Sequence, residues 1–222
     1  MPIRFVAFDV GEVLVDETRL WGEWADWLGV SRRTFSAVLG AVIAEGRHHL
    51  DAFELLRPGF DIAVARRARA GYDWWSRLEP ADLYPDALPC LRRLREHGYR
   101  VAIASNQTQA AIAALRRIGV EADVLGSSEA WGLEKPAPEF FARLVAEAGV
   151  VASDIAYVGD RVDNDVVLAR QAGMVAVFLR RGPWGMIHAA RLEANSADLR
   201  IESLDELPEA LSRALPADDG GR

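Results

Sequence analysis

The chain has 222 residues, 50% of them apolar, with a formal net charge of −7 at pH 7 and a pI near 5.2. This is enough to bury the core of one domain or of a main domain with an insertion, while the acidic balance excludes bulk electrostatic attraction to nucleic acid or to an anionic membrane surface. Cys90 is the only cysteine, which excludes an intrachain disulfide and a cysteine metal cluster, and the absence of a basic leader or a long apolar span predicts a cytoplasmic protein with no membrane partner.

Residues 3–8 read as a short buried strand. Residues 18–80 are helical in pattern and rich in tryptophan, with Trp21, Trp24, Trp27, Trp74 and Trp75. A stretch of that length is too long for an unstructured connection, so it predicts a small helical domain inserted into the chain. The spacing of Trp21, Trp24, Trp27 and Leu28 assigns them to packing inside that insert or against its neighbour. His48 and His49 are adjacent, point apart on a helix, and read as a solvated pair.

From about residue 82 onward, helix-period segments alternate with short β-type runs, the pattern of a parallel sheet covered by helices. Leu88, Leu91 and Leu94 mark one helix face, with Cys90 among them as a buried structural thiol. Strands follow at 100–104, 122–125, 155–158 and 175–179, separated by helices at 109–118, 138–148 and 163–172 that end at Gly119, Gly149 and Gly173. The expected organisation is an α/β core of residues 1–17 and 81–215, a helical insert of residues 18–80, and a frayed polar tail at 216–222.

Four short segments share one place, the carboxyl ends of the expected strands or the loops beyond them, where open α/β sheets bind ligands. They are Phe8-Asp9-Val10-Gly11-Glu12-Val13-Leu14, Ser105-Asn106, the run containing Lys135, and Gly159-Asp160-Arg161-Val162-Asp163-Asn164-Asp165. Lys135 is the only lysine among 26 basic residues. Its compact ammonium reaches between anions where a planar guanidinium does not fit. Taken singly, each segment is also explained as a turn or a helix cap. Together they meet the needs of phosphoryl transfer. Asp9 and Asp160 offer hard oxygens to a magnesium ion beside a carboxylate nucleophile. The Ser105 hydroxyl and the Ser105 and Asn106 backbone amides suit the transferring oxygens, and Lys135 offsets charge on both nucleophile and phosphate.

These segments, in this order and with a helical insertion after the first, resemble the haloacid dehalogenase-like hydrolase superfamily over nearly the whole chain. The resemblance implies a Rossmann-like core with helices on both faces, and an insert that acts as a cap closing over the site. It further implies Asp9 as the nucleophile that becomes aspartyl-phosphate, and magnesium held by Asp9, the Gly11 carbonyl and Asp160, with Asp165 as a direct or water-mediated partner. The expected substrate is a small phosphorylated metabolite, and the expected assembly a monomer or homodimer.

One departure stands out. The common phosphatase pattern has an acid–base aspartate two residues after the nucleophile, and here that position is Gly11. General acid–base catalysis is typically worth about 10²- to 10⁴-fold, so either Glu12 or a cap residue substitutes, or the leaving group needs little protonation. Glu12 also reads as a solvated turn residue. Two alternatives follow. One is a metal-independent 2-haloacid dehalogenase, which the second acid, Asp160, argues against because uncompensated carboxylates repel. The other is a non-catalytic binding or regulatory protein of the same fold. Arg32, Arg33, Arg47, Arg57, Arg66 and Arg67 read as insert surface, and no role is assigned to Arg180, Arg181 or Trp184.

Overall fold

The computed structural model describes residues 3–68 and 74–214; the tail expected at 216–222 and the Arg66 side chain lie outside the described residues. Six strands, β1 (Phe5–Phe8), β2 (Arg100–Ser105), β3 (Val124–Ser127), β4 (Ile155–Gly159), β5 (Val175–Leu179) and β6 (Leu199–Ile201), form one sheet in the order β3-β2-β1-β4-β5-β6. Every pairing is parallel. Side chains alternate across a strand, so the central strands feed two cores. Val6, Phe8, Val101, Ile103 and Val158 enter one apolar cluster, while Phe5, Ala7, Ala102, Ala104 and Tyr157 enter the other.

The helices are α1 (Thr18–Leu28), α2 (Arg32–Ala44), α3 (Asp51–Leu56), α4 (Ile62–Ala68), α5 (Ala87–Glu96), α6 (Gln109–Arg117), α7 (Ser128–Trp131), α8 (Pro138–Ala148), α9 (Val167–Gln171), α10 (Gly182–His188) and α11 (Leu207–Ala214). Leu91 and Leu94 of α5, Leu115 of α6 and Leu211 of α11 cover one face of the sheet. Phe140, Phe141 and Leu144 of α8 and Ala169 of α9 cover the other. This is the Rossmann-like α/β class, with Cys90 of α5 fully buried as expected.

Three local features depart from the expected pattern. The third strand starts at Val124 rather than at 122, because Asp123 is spent on β2: its carboxylate accepts Val101 N–H at 2.8 Å and its own N–H donates to Val101 O at 2.7 Å. β6 is a three-residue edge strand, too short to print a periodicity. A π-helical turn, Val162–Val166, precedes α9 where an ordinary helix was expected from 163.

Between β1 and α5, helices α1 to α4 build their own apolar cluster around Trp24, Phe35, Leu39, Val42, Ile43 and Phe53. Trp184 of α10 inserts into that cluster from the sheet side, whereas Trp74 and Leu78 pack with the sheet's own core. Trp27 is not core: it stands 45% exposed. His49 is not simply solvated either, since its ring lies edge-on to Trp21 at 6.0 Å and to Trp184 at 5.8 Å, while His48 is exposed. The two chain segments joining insert and sheet run side by side, with Asp16 N donating to Asp82 O at 2.8 Å and Tyr84 N to Leu14 O at 2.9 Å. Among the described residues, no helix is long and apolar enough to cross a membrane.

Candidate active site

The parallel register sets the site. Phe8 pairs with Ile103 on one side and Val158 on the other, so Asp9, Ser105 and Asp160 leave the sheet at neighbouring points of its carboxyl edge. There they floor an open cleft of about 1090 Å³, walled on the insert side by Trp21, Trp24, Phe53 and Ile62.

Lys135 reaches into this floor from the loop before α8 and is 3% exposed. Its ammonium donates to Asp9 Oδ1 at 2.7 Å, to Asp165 Oδ1 at 2.5 Å and to the Tyr157 hydroxyl at 3.0 Å. Three donors meet three acceptors, and no proton on Nζ is left over. Burial alone would push this ammonium down, but Asp165 and Asp9 together outweigh it and hold it well above the ordinary lysine range. Tyr157, which in turn donates to Ala104 O at 2.7 Å, was not among the residues singled out in the sequence. The one sequence signal that could have found it is a hydroxyl-bearing side chain in an otherwise apolar central strand.

Asp9, Asp160 and Asp165 are all buried and place one carboxylate oxygen each within 4.8 Å of the others. Asp160 Oδ2 is buried with no hydrogen-bond partner among the described residues. Burial, then the neighbouring Asp165 and Asp9, push the Asp160 carboxyl well above the ordinary range. Burial also raises Asp165, against the opposing pull of Lys135, to about 6. The π-helical turn is what brings Asp165 inward, and it needs Gly159: a Cβ there would lie 2.4 Å from the Asp165 side chain.

Ser105 is 2% exposed at the end of β2. The Asn106 side chain is not turned to the cleft for ligand binding but clamps the lysine loop, with Oδ1 accepting Lys135 N–H at 2.7 Å and Nδ2 donating to Lys135 O at 2.7 Å. A substrate role for Asn106 is thereby confined to its backbone amide.

Glu12 corrects the expectation of a solvated turn residue. It is 4% exposed, adopts φ of 56°, and its Oε2 accepts the Tyr84 hydroxyl at 2.6 Å. A positive φ in a non-glycine residue is uncommon and is kept only where surroundings fix it. Here, burial raises the Glu12 carboxyl to about 7, with the Tyr84 hydrogen bond opposing. Glu17, which the sequence reading passed over, is a second buried acid lining the cleft. Burial, then Glu12 and Asp9, raise it to about 8. Nothing in its local sequence marks it, because its place depends on the chain turning back at the start of α1. None of Arg32, Arg33, Arg47, Arg57 or Arg67 lines the cleft; its described cations are Lys135 and Arg161.

A family model described as haloacid dehalogenase-like hydrolase matches residues 3–173. The chain is similar to a glyceraldehyde 3-phosphate phosphatase of Methanopyrus kandleri, 39% identical over 149 residues that make up 63% of this chain and 62% of that relative. It spans about three fifths of the length of the curated relatives it matches. A predicted phosphoglycolate phosphatase from Haemophilus somnus 129PT has a similar solved structure, with a TM-score of 0.71 at 17% identity over 94% of this chain and 98% of that one. The L-2-haloacid dehalogenase of Xanthobacter autotrophicus is similar too, with a TM-score of 0.64 at 20% identity over 93% of this chain and 97% of that one. At such identities these two structures speak for the fold alone.

Proposed function

Matched over most of its length, the chain belongs to the haloacid dehalogenase-like hydrolases, and from that premise we propose that it is a magnesium-dependent phosphatase of a small phosphorylated metabolite. The observation that carries this reading is the buried trio Asp9, Asp160 and Asp165, with an Asp160 oxygen that has no partner among the described residues. Lys135 answers Asp9 and Asp165 but not Asp160. Acids so close in a desolvated site call for a further cation, and their hard oxygens fit magnesium. Asp9, Asp160 and Asp165 would hold the ion, which supplies charge neutralisation between an anionic phosphate and an anionic nucleophile.

The chain's own residues divide the remaining work. Lys135 fixes Asp9 Oδ1, so Oδ2 is the oxygen that attacks phosphorus and forms the aspartyl-phosphate. The Ser105 hydroxyl and the Asn106 backbone amide bind the transferring oxygens. Asn106, through its side chain, keeps the lysine loop in place. Helices α1 to α4 act as a cap whose aromatic wall meets the leaving alcohol and excludes water. The phosphatase relatives support a phosphate ester as substrate.

The dehalogenase alternative shares the fold but gives the unpartnered Asp160 no task. Phosphate release from p-nitrophenyl phosphate, glyceraldehyde 3-phosphate and phosphoglycolate, with magnesium or with chelator, tests the proposal beside halide release from 2-chloropropionate. Chelator-sensitive phosphate release is expected. Halide release without metal, or silence in every assay, overturns it.

A further inference from the structure

We infer that Glu17 is the general acid–base group of this site, standing in for the side chain that Gly11 lacks; the inference rests on the phosphatase reading above. A Cβ built on Gly11 would lie 2.7 Å from Glu17 Oε1 and 3.5 Å from Oε2. The Glu17 carboxyl therefore occupies the volume that a side chain at residue 11 would enter. An acid at 11 and an acid folded back from 17 compete for one space, and this chain fills it from 17.

Glu17 is 9% exposed and lines the same cleft as Asp9, Lys135 and Asp160, so it is enclosed yet open to a bound ester. Glu12, its rival, lines the same cleft, but its carboxylate is already engaged. Its Oε2 takes the Tyr84 hydroxyl at 2.6 Å, and the same oxygen lies 2.6 Å from a Cβ built on Gly182. Glu12 is thus wedged between Tyr84 and the start of α10, where it shapes the loop after β1.

The proton balance closes with Glu17 acting first as acid and then as base. As Asp9 Oδ2 bonds to phosphorus and the ester P–O bond breaks, the Glu17 carboxyl gives its proton to the leaving oxygen and the alcohol departs neutral. Glu17, now a carboxylate, takes a proton from the water whose oxygen then attacks the aspartyl-phosphate. That restores the acid, frees the Asp9 carboxylate and releases inorganic phosphate.

The test compares two esters of similar size in single-turnover experiments with magnesium. p-Nitrophenyl phosphate leaves as a stabilised phenolate that needs no proton, while benzyl phosphate leaves as an alkoxide that does. In Glu17→Gln, the ratio of the benzyl to the p-nitrophenyl phosphorylation rate is expected to fall by about 10²-fold or more, and the aspartyl-phosphate to accumulate for want of a base. The double variant Gly11→Asp with Glu17→Gly moves the acid back to residue 11 and is expected to recover benzyl turnover relative to Glu17→Gly alone. A ratio unchanged in Glu17→Gln, or no recovery in the double variant, overturns the assignment while the phosphatase reading stands. If the unmodified protein releases phosphate from neither ester, the phosphatase reading itself falls.

Discussion

At Lys135 an ammonium with three protons meets three acceptors, two of them carboxylates and one a phenol, at 2.5 to 3.0 Å. A guanidinium carries five donors in a rigid plane and cannot shrink into that space. Lys135→Arg is therefore expected to lose at least about 10²-fold in kcat/KM, since the group held against the nucleophile is displaced, and to melt earlier than the unmodified protein. Steady-state kinetics and thermal unfolding check both; a variant with near-normal turnover would show that charge alone suffices. The residues of this floor were unevenly legible. Asp9, Lys135, Asp160 and Asp165 stand at recognisable places beside strand ends, so order and spacing point to them. Tyr157 and Glu17 carry no such mark, because one is a strand residue facing inward and the other is brought back by a turn at the root of the insert.

The loop after β4 shows how backbone shape serves the site. Asp165 arrives beside Lys135 because the π-helical turn adds slack to the chain and because Gly159 leaves room for its carboxylate, whose Oδ2 accepts Arg161 N–H at 3.1 Å. Single π-turns of this kind recur at functional sites. Gly159→Ala puts a Cβ 2.4 Å from the Asp165 side chain. Asp165 must then move off Lys135, and the magnesium concentration for half-maximal activity is expected to rise by about tenfold or more, as happens when the groups orienting a metal site are disturbed. A magnesium titration of activity decides it, and an unchanged half-saturation point would mean that Asp165 is dispensable to the metal. Elements long enough to repeat a pattern were readable in advance, including β1, β2, β4, β5, α6 and α8. The π-turn, the edge strand β6 and the late start of β3 were not, because each is fixed by tertiary partners rather than by periodicity.

For the molecule as a whole, the buried acids tie folding to pH. Glu12 and Glu17 ionise near 4.5 when unfolded but only at about 7 and about 8 in the folded chain. Between those limits the folded state keeps protons that the unfolded chain has released, so the stability these groups contribute is full below pH 4.5 and is lost as pH rises through 7 and 8. His188 has the opposite sign. Its imidazole, which accepts Val162 N–H at 3.2 Å, is lowered by burial from 6.5 to about 4, so its contribution is full above pH 6.5 and lost as pH falls through 4. From pH 6.5 to 8 the histidine is therefore constant, and the buried acids Glu12, Glu17 and Asp160, all raised, set the slope. With chelator present, the melting temperature is expected to fall across that window, and to fall less steeply in Glu17→Gln. Magnesium binds the folded site in competition with protons, so the rise in melting temperature it gives should be larger at pH 8 than at pH 6. Differential scanning calorimetry at matched ionic strength reads all three quantities. A chelated protein whose melting temperature is flat or climbs from pH 6.5 to 8 would mean that Glu12 and Glu17 are ionised in the folded state. The cleft would then carry two more negative charges beside Asp9 than the architecture described above can balance.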